Sequence, residues 1–347
     1  MKGNMLALAL VLWGLLVLLA AACGGGEPPS PQWSEECSNG VAVLEPEANP
    51  GLVEDCATLL GARDTLIGGG EASLDWHQDT PISDWGGVTV EGSPLRVTEL
   101  DLLEEGLTGS IPEELGSLVN LQRLELAGNN LTGSIPTWLG SLANLRWLNL
   151  SGNDLTGSIP EELGSLANLE YLALLGNELT GSIPEELGSL ANLWGLGLAG
   201  NDLTGSIPGE LGSLTNLWSL SLGNNQLTGS IPPELGSLAN LEGWLGLAGN
   251  DLTGSIPGEL GSLAKLELLN LSDNELTGSI PGELGCMANL ELLPLSDNEL
   301  TGSVPGELRS LANLNWLGLR GNQLTGCVPY VLRGAGGDLG GLPFCLE

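Results

Sequence analysis

Aromatic residues are scarce in this sequence. Its 10 Trp, 2 Tyr and 1 Phe make up 4% of 347 residues, although 42% of the chain is hydrophobic. The length leaves room for two or three compact domains, but mixed globular cores draw on Phe, Tyr and Met. Their shortage beside 54 Gly and abundant Leu excludes such cores and points to one aliphatic template used many times. Cations are scarcer still: 9 Lys and Arg stand against 43 Asp and Glu, for a formal net charge of −34. Nucleic acid is thereby excluded as a partner, because phosphate binding needs clustered Lys and Arg. Anionic membrane surfaces are disfavoured for the same reason, and the charge keeps an elongated surface soluble. The one histidine, His77, lies outside the repetitive part, and no Cys or His pairs have zinc-ligand spacing. No H-E-x-x-H, G-x-S-x-G or phosphate-loop motif occurs. The glycine-rich "GAGGDLGG" follows no strand-to-helix pattern and reads as a loop. No enzyme activity, cofactor or metal is expected.

What is present begins with a targeting segment. Lys2 precedes an uncharged apolar run from Met5 to Ala22, followed by Cys23 in "LLAAACGGG". This resembles a bacterial lipoprotein signal, in which the cysteine becomes the lipidated first residue; it departs in having Ala20 where Leu is usual. A plain membrane anchor is the alternative. The stretch "GGGEPPSPQWSEE" then reads as a flexible tether. Cysteine use agrees with export: Cys37 and Cys56 precede the repetitive part, and Cys327 and Cys345 close it. Each pair is expected to form an end-cap disulfide in an oxidising compartment. Cys286 replaces a Ser of the sister units and is expected to be a free, partly buried thiol.

The repetitive part has a period of 24 residues. "LTG" recurs from Leu107 to Leu324, and every step is 24 except the 25 between Leu227 and Leu252. The extra residue lies in "NLEGWLGLAGN", where a bulge would absorb it. One unit, "LTGSIPEELGSLANLEYLALLGNE", fixes seven aliphatic slots: Leu155, Ile159, Leu163, Leu166, Leu169, Leu172 and Leu174. Each contributes roughly 1.5–3 kcal/mol when buried, but only stacked neighbours can bury them. The segment L-x-x-L-x-L alternates as a strand does, and strands at this period stack in parallel. A recurrent Asn, from Asn129 to Asn322, follows each strand and is expected to satisfy backbone groups at the bend. Pro294 falls mid-strand, where it removes a ladder donor and weakens pairing.

The pattern "LxxLxLxxNxLTGSIPxELGSL", from about Val97 to Pro329, resembles the plant-type leucine-rich repeat. "DCATLLGARDTL…LDWHQDTPISDWGGVTV" is similar to the N-terminal cap of those proteins, without the cysteines expected around Trp85 to Val90. "LTGCVPYVLRG…LGLPFC" looks like the C-terminal cap of bacterial members. The resemblance implies an α/β-type repeat solenoid: a leucine-rich repeat superhelix with a concave parallel β-sheet, little regular helix and capped ends. It also implies binding rather than catalysis. The expected organisation is a signal peptide over 1-22, a tether over 23-36, an N-terminal cap over 37-96, repeats over 97-323 and a C-terminal cap over 324-347.

Two sets of free positions remain. Carboxylates recur after the Ile-Pro or Val-Pro dipeptide (Glu162, Glu186, Glu210) and after the Asn (Asp154, Glu178, Asp202). Such columns repel, so salt should stabilise the protein; they read as a solvated flank with at most weak divalent-cation binding. The second set lies beside the strand leucines. From the third strand onward a large apolar residue always fills one of two outward slots: Trp147, Tyr171, Trp194, Trp218, Trp244, Leu268, Leu292 and Trp316. Small residues (Ala173, Gly197, Ser221, Gly246) lie beside them, and Arg123 and Arg146 occupy neighbouring slots. At about 4.8 Å per strand the stripe would run roughly 34 Å. Exposed contiguous apolar surface marks interaction sites, and Trp and Tyr are favoured contact residues. The expected protein is exported and lipid-anchored to the bacterial cell envelope. It would bind an extended protein, peptide or polysaccharide ligand on the concave face, with the arginines orienting an acidic group. Because no second apolar span and no kinase-like domain follow, it is expected to display, adhere or pass information to a partner. The rival is a structural surface or adhesion protein that self-associates through the stripe.

Overall fold

The computed structural model describes residues 31–346, so the expectations for the signal peptide and for lipidation of Cys23 lie outside the described residues. The chain forms two compact units, one ending at Leu145 and the other beginning at Arg146.

The first unit opens with helices α1 (Pro31–Cys37) and α2 (Pro50–Ile67). Pro50 suits a first helical turn, where its missing N–H has no partner to lose. Gly68, at φ 65°, ends α2 with its N–H donating to Asp64 O at 3.0 Å. The Cys37–Cys56 disulfide ties the two helices together. Asp55 is buried on α2 and accepts hydrogen bonds from Arg96 Nε (2.9 Å), Arg96 Nη2 (2.6 Å) and the Val97 N–H (2.8 Å). That bidentate contact holds the Arg96 guanidinium above its ordinary pKa and fastens the helix to the strand Arg96–Asp101. The region lacking cysteines is held by packing instead. Trp76 and Trp85 stack at 6.1 Å and are both buried, with Nε1 of Trp76 donating to Gly86 O and Nε1 of Trp85 to His77 O. His77 itself is exposed. The antiparallel hairpin of Val88–Glu91 with Arg96–Asp101 starts the sheet, and Arg123–Glu125 adds to it in parallel, Glu99 opposite Arg123. Trp138, outside the strands, is half-buried against Gly116.

The second unit is repeat after repeat. Eight short parallel strands lie in chain order from Trp147–Asn149 to Trp316–Gly318, forming its front sheet. A second sheet comprises Asp154–Ser158, Glu178–Ser182, Asp202–Ser206, Gln226–Ser230 and Asp251–Thr253. Each Ile-Pro is followed by a 3₁₀ turn such as Glu161–Ser165, and the unit contains no α-helix among its described residues. All seven aliphatic slots of the unit starting at Leu155 are buried. The recurrent Asn works as expected. Asn201 Nδ2 donates to Leu174 O (2.9 Å) and Leu198 O (3.0 Å), and its Oδ1 accepts from the Leu179 N–H (3.1 Å).

The irregularities are local. The extra residue is absorbed between Leu241 and Leu245, both buried, and Leu220 still pairs with Leu245. The core face does not shift. Leu292–Pro294 registers with Leu268–Asn270 through the single pair Leu268 and Leu292, where other neighbouring strands share two or three. That is the weakened pairing a mid-strand proline imposes. Cys286 departs from expectation: it is exposed, because its slot at the end of a 3₁₀ turn faces solvent, as Ser262 does. The Cys327–Cys345 disulfide and the bridge between Val328 and Phe344 close the C-terminal end. Among the described residues no helix is long and apolar enough to cross a membrane, and no group of three His, Cys, Asp or Glu is arranged to hold a metal ion.

Candidate ligand-binding face

Strand alternation sends Leu148, Leu172, Leu196, Leu220 and Leu245 inward and leaves the flanking residues on the outer face of the front sheet. Trp194 (37% exposed), Trp218 (38%), Trp244 (42%) and Trp316 (47%) stand at the surface there, with Trp147 and Tyr171 half-buried. The rings are not independent. Trp147 stacks on Tyr171 at 4.0 Å between centroids, and Tyr171 meets Trp194 at 5.0 Å. Trp218 meets Trp244 edge to face at 5.2 Å. Such pairs are worth about 0.5–1.5 kcal/mol beyond burial, so the stripe is held in place before any ligand arrives.

Two glycines make that arrangement possible. A Cβ on Gly195 would lie 2.7 Å from the Tyr171 ring, and one on Gly243 would lie 2.7 Å from the Trp218 ring. Each ring lies over the glycine of the next repeat, in space a side chain there would fill. This explains why Trp194 occupies the more lateral slot: the inner one, at Gly195, is covered by Tyr171.

The expected residues fall into distinct places. Trp147, Tyr171, Trp194, Trp218 and Trp244 together line a cavity of about 270 Å³, floored by Leu196, Gly197 and Ser219. Trp316 lies further along the sheet, beyond Leu268 and Leu292, and packs against the C-terminal cap. It bridges to Gly336, where an added Cβ would be 3.1 Å from its ring. The two arginines already have partners. Arg146 donates from Nη1 to Glu170 Oε1 at 2.7 Å, and Arg123, which belongs to the first unit, pairs with Glu125 (2.9 Å) and Asp101 (3.6 Å). Both arginines hold acidic neighbours, so orienting an acidic ligand group would mean competing with Glu170 at Arg146 and with Glu125 and Asp101 at Arg123.

One wall residue was missed. Leu175 lines the same cavity and lies over Gly197, 3.1 Å from where a Cβ would be. Its signal was readable: the slot holds Ser151, Ala199, Gly223 and Ala248 in the neighbouring repeats of the second unit, where only position 175 carries a large apolar side chain.

Stacked 24-residue units, a parallel front sheet, an asparagine ladder and capped ends define a leucine-rich repeat solenoid. Family descriptions agree: "Leucine rich repeat" matches residues 96–155 and "Leucine Rich Repeat" matches residues 168–190, 216–238 and 265–287. Solved structures are similar over most of the chain. The leucine-rich repeat ectodomain of the Arabidopsis thaliana receptor kinase GASSHO1/SCHENGEN3, in complex with CASPARIAN STRIP INTEGRITY FACTOR 2, is 43% identical. It superposes with a TM-score of 0.77, and the match covers 80% of this chain and 34% of that one. The ectodomain of the Arabidopsis receptor kinase HAESA, in complex with an N-terminally extended (lengthened) IDA peptide hormone ligand, is 33% identical with a TM-score of 0.66, over 82% and 52%. A plant ice-binding protein is 30% identical with a TM-score of 0.69, over 84% of this chain and 97% of its own. The chain thus spans about a third to a half of the receptor ectodomains it matches. No curated protein sequence matches it significantly. The chain belongs to the plant-type leucine-rich repeat proteins, whose ectodomains are non-enzymatic.

Proposed function

We propose that the chain is an exported leucine-rich repeat protein that binds an extended peptide along the aromatic stripe of its second unit. The observation carrying this reading is the run of packed, half-exposed rings from Trp147 to Trp244 around one cavity. Rings already fixed against each other lose little entropy on binding, and clustered Trp and Tyr dominate interface energetics. The similar HAESA ectodomain holds a peptide hormone ligand, which favours a peptide over a polysaccharide. Attachment is through a lipid on Cys23, placing the repeats at the surface of a cell envelope; incorporation of labelled fatty acid, lost in C23S, tests that part.

The functional test is a combined peptide and glycan array probed with the full chain and with W194A/W218A. Removing two central anchors should weaken binding by about ten- to a hundredfold. Binding that survives in the double variant would refute the stripe as the site. Glycan spots alone would assign the same face to polysaccharide. Silence from both, with concentration-dependent size lost in the variant, would assign it to self-association.

A second function is favoured by a different face. The second sheet carries Thr156, Thr180, Thr204 and Thr228, all exposed and one per repeat, with neighbouring strands offset by two residues so that Thr180 faces Ser158 on one side and Asp202 on the other. The similarity to an ice-binding protein covers nearly that protein's whole length. Exposed hydroxyl and methyl groups repeated along a sheet can order water, although Glu178 and Asp202, which face Thr156 and Thr180 across the strands, oppose it by holding their own hydration. Inhibition of ice recrystallisation that is abolished by T180Y/T204Y, with W194A/W218A unaffected, would establish this activity; no inhibition would dismiss it.

A further inference from the structure

The stripe is not chemically uniform, and its far part carries charge. Past Trp218 the lateral slot passes from tryptophan to Glu267 and Glu291, both exposed, while Leu268 and Leu292 continue the apolar line. These four side chains and the rings of Trp218 and Trp244 enclose a cavity of about 240 Å³. That is smaller than the roughly 300–1,000 Å³ of small-molecule sites and suits a single side chain. Among the described residues no cation pairs with Glu267 or Glu291. The nearby Lys265 is engaged elsewhere, with Glu242 at 3.2 Å and Asn240 Oδ1 at 3.0 Å. Two carboxylates, two leucines and two ring faces are complementary to one class of group: a long aliphatic stem ending in a cation. The stem lies on leucine, the cation faces an indole, and the carboxylates neutralise it. The first cavity, lined by Trp147, Tyr171, Leu175 and Trp194, has no carboxylate in its wall and suits an apolar side chain.

Resting on the peptide-binding reading above, we infer that the cavity of Trp218, Trp244, Glu267 and Glu291 is a subsite for an arginine or lysine of the bound peptide. The two cavities are centred between two and three strands apart, roughly 12 Å at about 4.8 Å per strand. Four residues of extended chain span about 13 Å. The recognised pattern is therefore an apolar residue followed or preceded, four positions away, by a basic one.

The test uses the full chain and fluorescence-labelled pentapeptides, Ac-Phe-Ser-Gly-Ser-Arg-NH₂ and its reverse order, each against the same peptide with citrulline in place of arginine. Citrulline keeps the shape and removes the charge. The expected result is a preference for arginine of about tenfold, the scale of a desolvated cation–π contact with partly screened carboxylates. E267Q/E291Q should bring the arginine peptide's affinity most of the way down to that of the citrulline peptide, and raising salt should weaken the arginine peptide more than the citrulline one. W194A should weaken both peptides alike. If W194A abolishes binding while arginine and citrulline bind equally, the stripe stands and the cationic subsite is overturned. If no peptide binds wild type, including every member of the array above, the peptide reading falls and takes the subsite with it. Unchanged circular dichroism of E267Q/E291Q confirms that a lost preference is not unfolding.

Discussion

Asn201→Ala and Asn201→Asp separate what the asparagine ladder does from what a count of its hydrogen bonds suggests. Asn201 makes three good contacts to buried backbone, to Leu174 O, Leu198 O and the Leu179 N–H. They are not equally replaceable. Leu174 O also accepts from Asn177 Nδ2 (3.1 Å), and Leu198 O from Asn225 Nδ2 (3.1 Å), so each carbonyl keeps a donor when Asn201 is truncated. The Leu179 N–H donates to Asn201 Oδ1 and, once that is gone, is left unpaired in a dry site. Truncation therefore costs about 1–3 kcal/mol for one orphaned donor, not the sum of three bonds. Aspartate preserves the acceptor for Leu179 but turns the amide donor into an oxygen, about 3 Å from the two carbonyl oxygens that the amide served. A buried charge without a cation is worse than a missing bond, so Asp should cost more than Ala, on the order of 3–5 kcal/mol. Urea unfolding gives the totals. Because repeat arrays lose cooperativity, exchange of the Leu179 amide gives the local value. An Ala variant within about 0.5 kcal/mol of wild type, or an Asp variant milder than Ala, would refute the reasoning.

Three further expectations follow from the same structure. Asp55→Ala strands both the Arg96 guanidinium and the Val97 N–H and should destabilise the N-terminal cap by about 3–5 kcal/mol; a thermal melt that moves by less than a degree or two would contradict it. Replacing Cys327 and Cys345 by Ser releases a loop of sequence separation 18, worth about 3 kcal/mol by chain entropy. The loss should show as early fraying near Trp316, read by its fluorescence, with the melt of the central repeats unchanged. Adding about 0.5 M NaCl should raise the urea midpoint, because members of each acidic column lie within a Debye length of one another and each like-charge pair opposes folding by a few tenths of a kcal/mol. A midpoint indifferent to salt would mean the columns do not repel in the folded state.

The repeat was legible because each of its demands falls on a fixed slot. Seven aliphatic positions, an asparagine and an Ile-Pro recur so regularly that sequence spacing alone gives strand, turn and core face, and even the weakened ladder at Pro294. Contacts between unlike segments were not legible. Asp55 and Arg96 lie 41 residues apart, and nothing in either neighbourhood announces the pairing. Cys286 was misjudged for a different reason: cysteine is commonly buried, but its slot is set by the template, and the template places serine in water. The partners of the arginines were not legible either, since the rarity of cations says nothing of which carboxylate each one meets.

The candidate face shows how a duplicated template can acquire specificity without disturbing its fold. Slots that bury leucine cannot vary, since a lost side chain leaves a cavity worth several kcal/mol. Outward slots vary freely, but a large ring placed in one must lie somewhere, and neighbouring strands are only about 4.8 Å apart. Glycine on the next strand solves this by opening the space over which the ring folds, as Gly195 does for Tyr171 and Gly243 for Trp218. The inserted residue belongs to the same solution. It places Gly243 under Trp218 while keeping Trp244 outward and Leu245 inward, so one strand both receives a ring and supplies one. Trp194 stands in the lateral slot because Tyr171 already occupies the inner one, and together the two rings form a wall that neither slot could build alone.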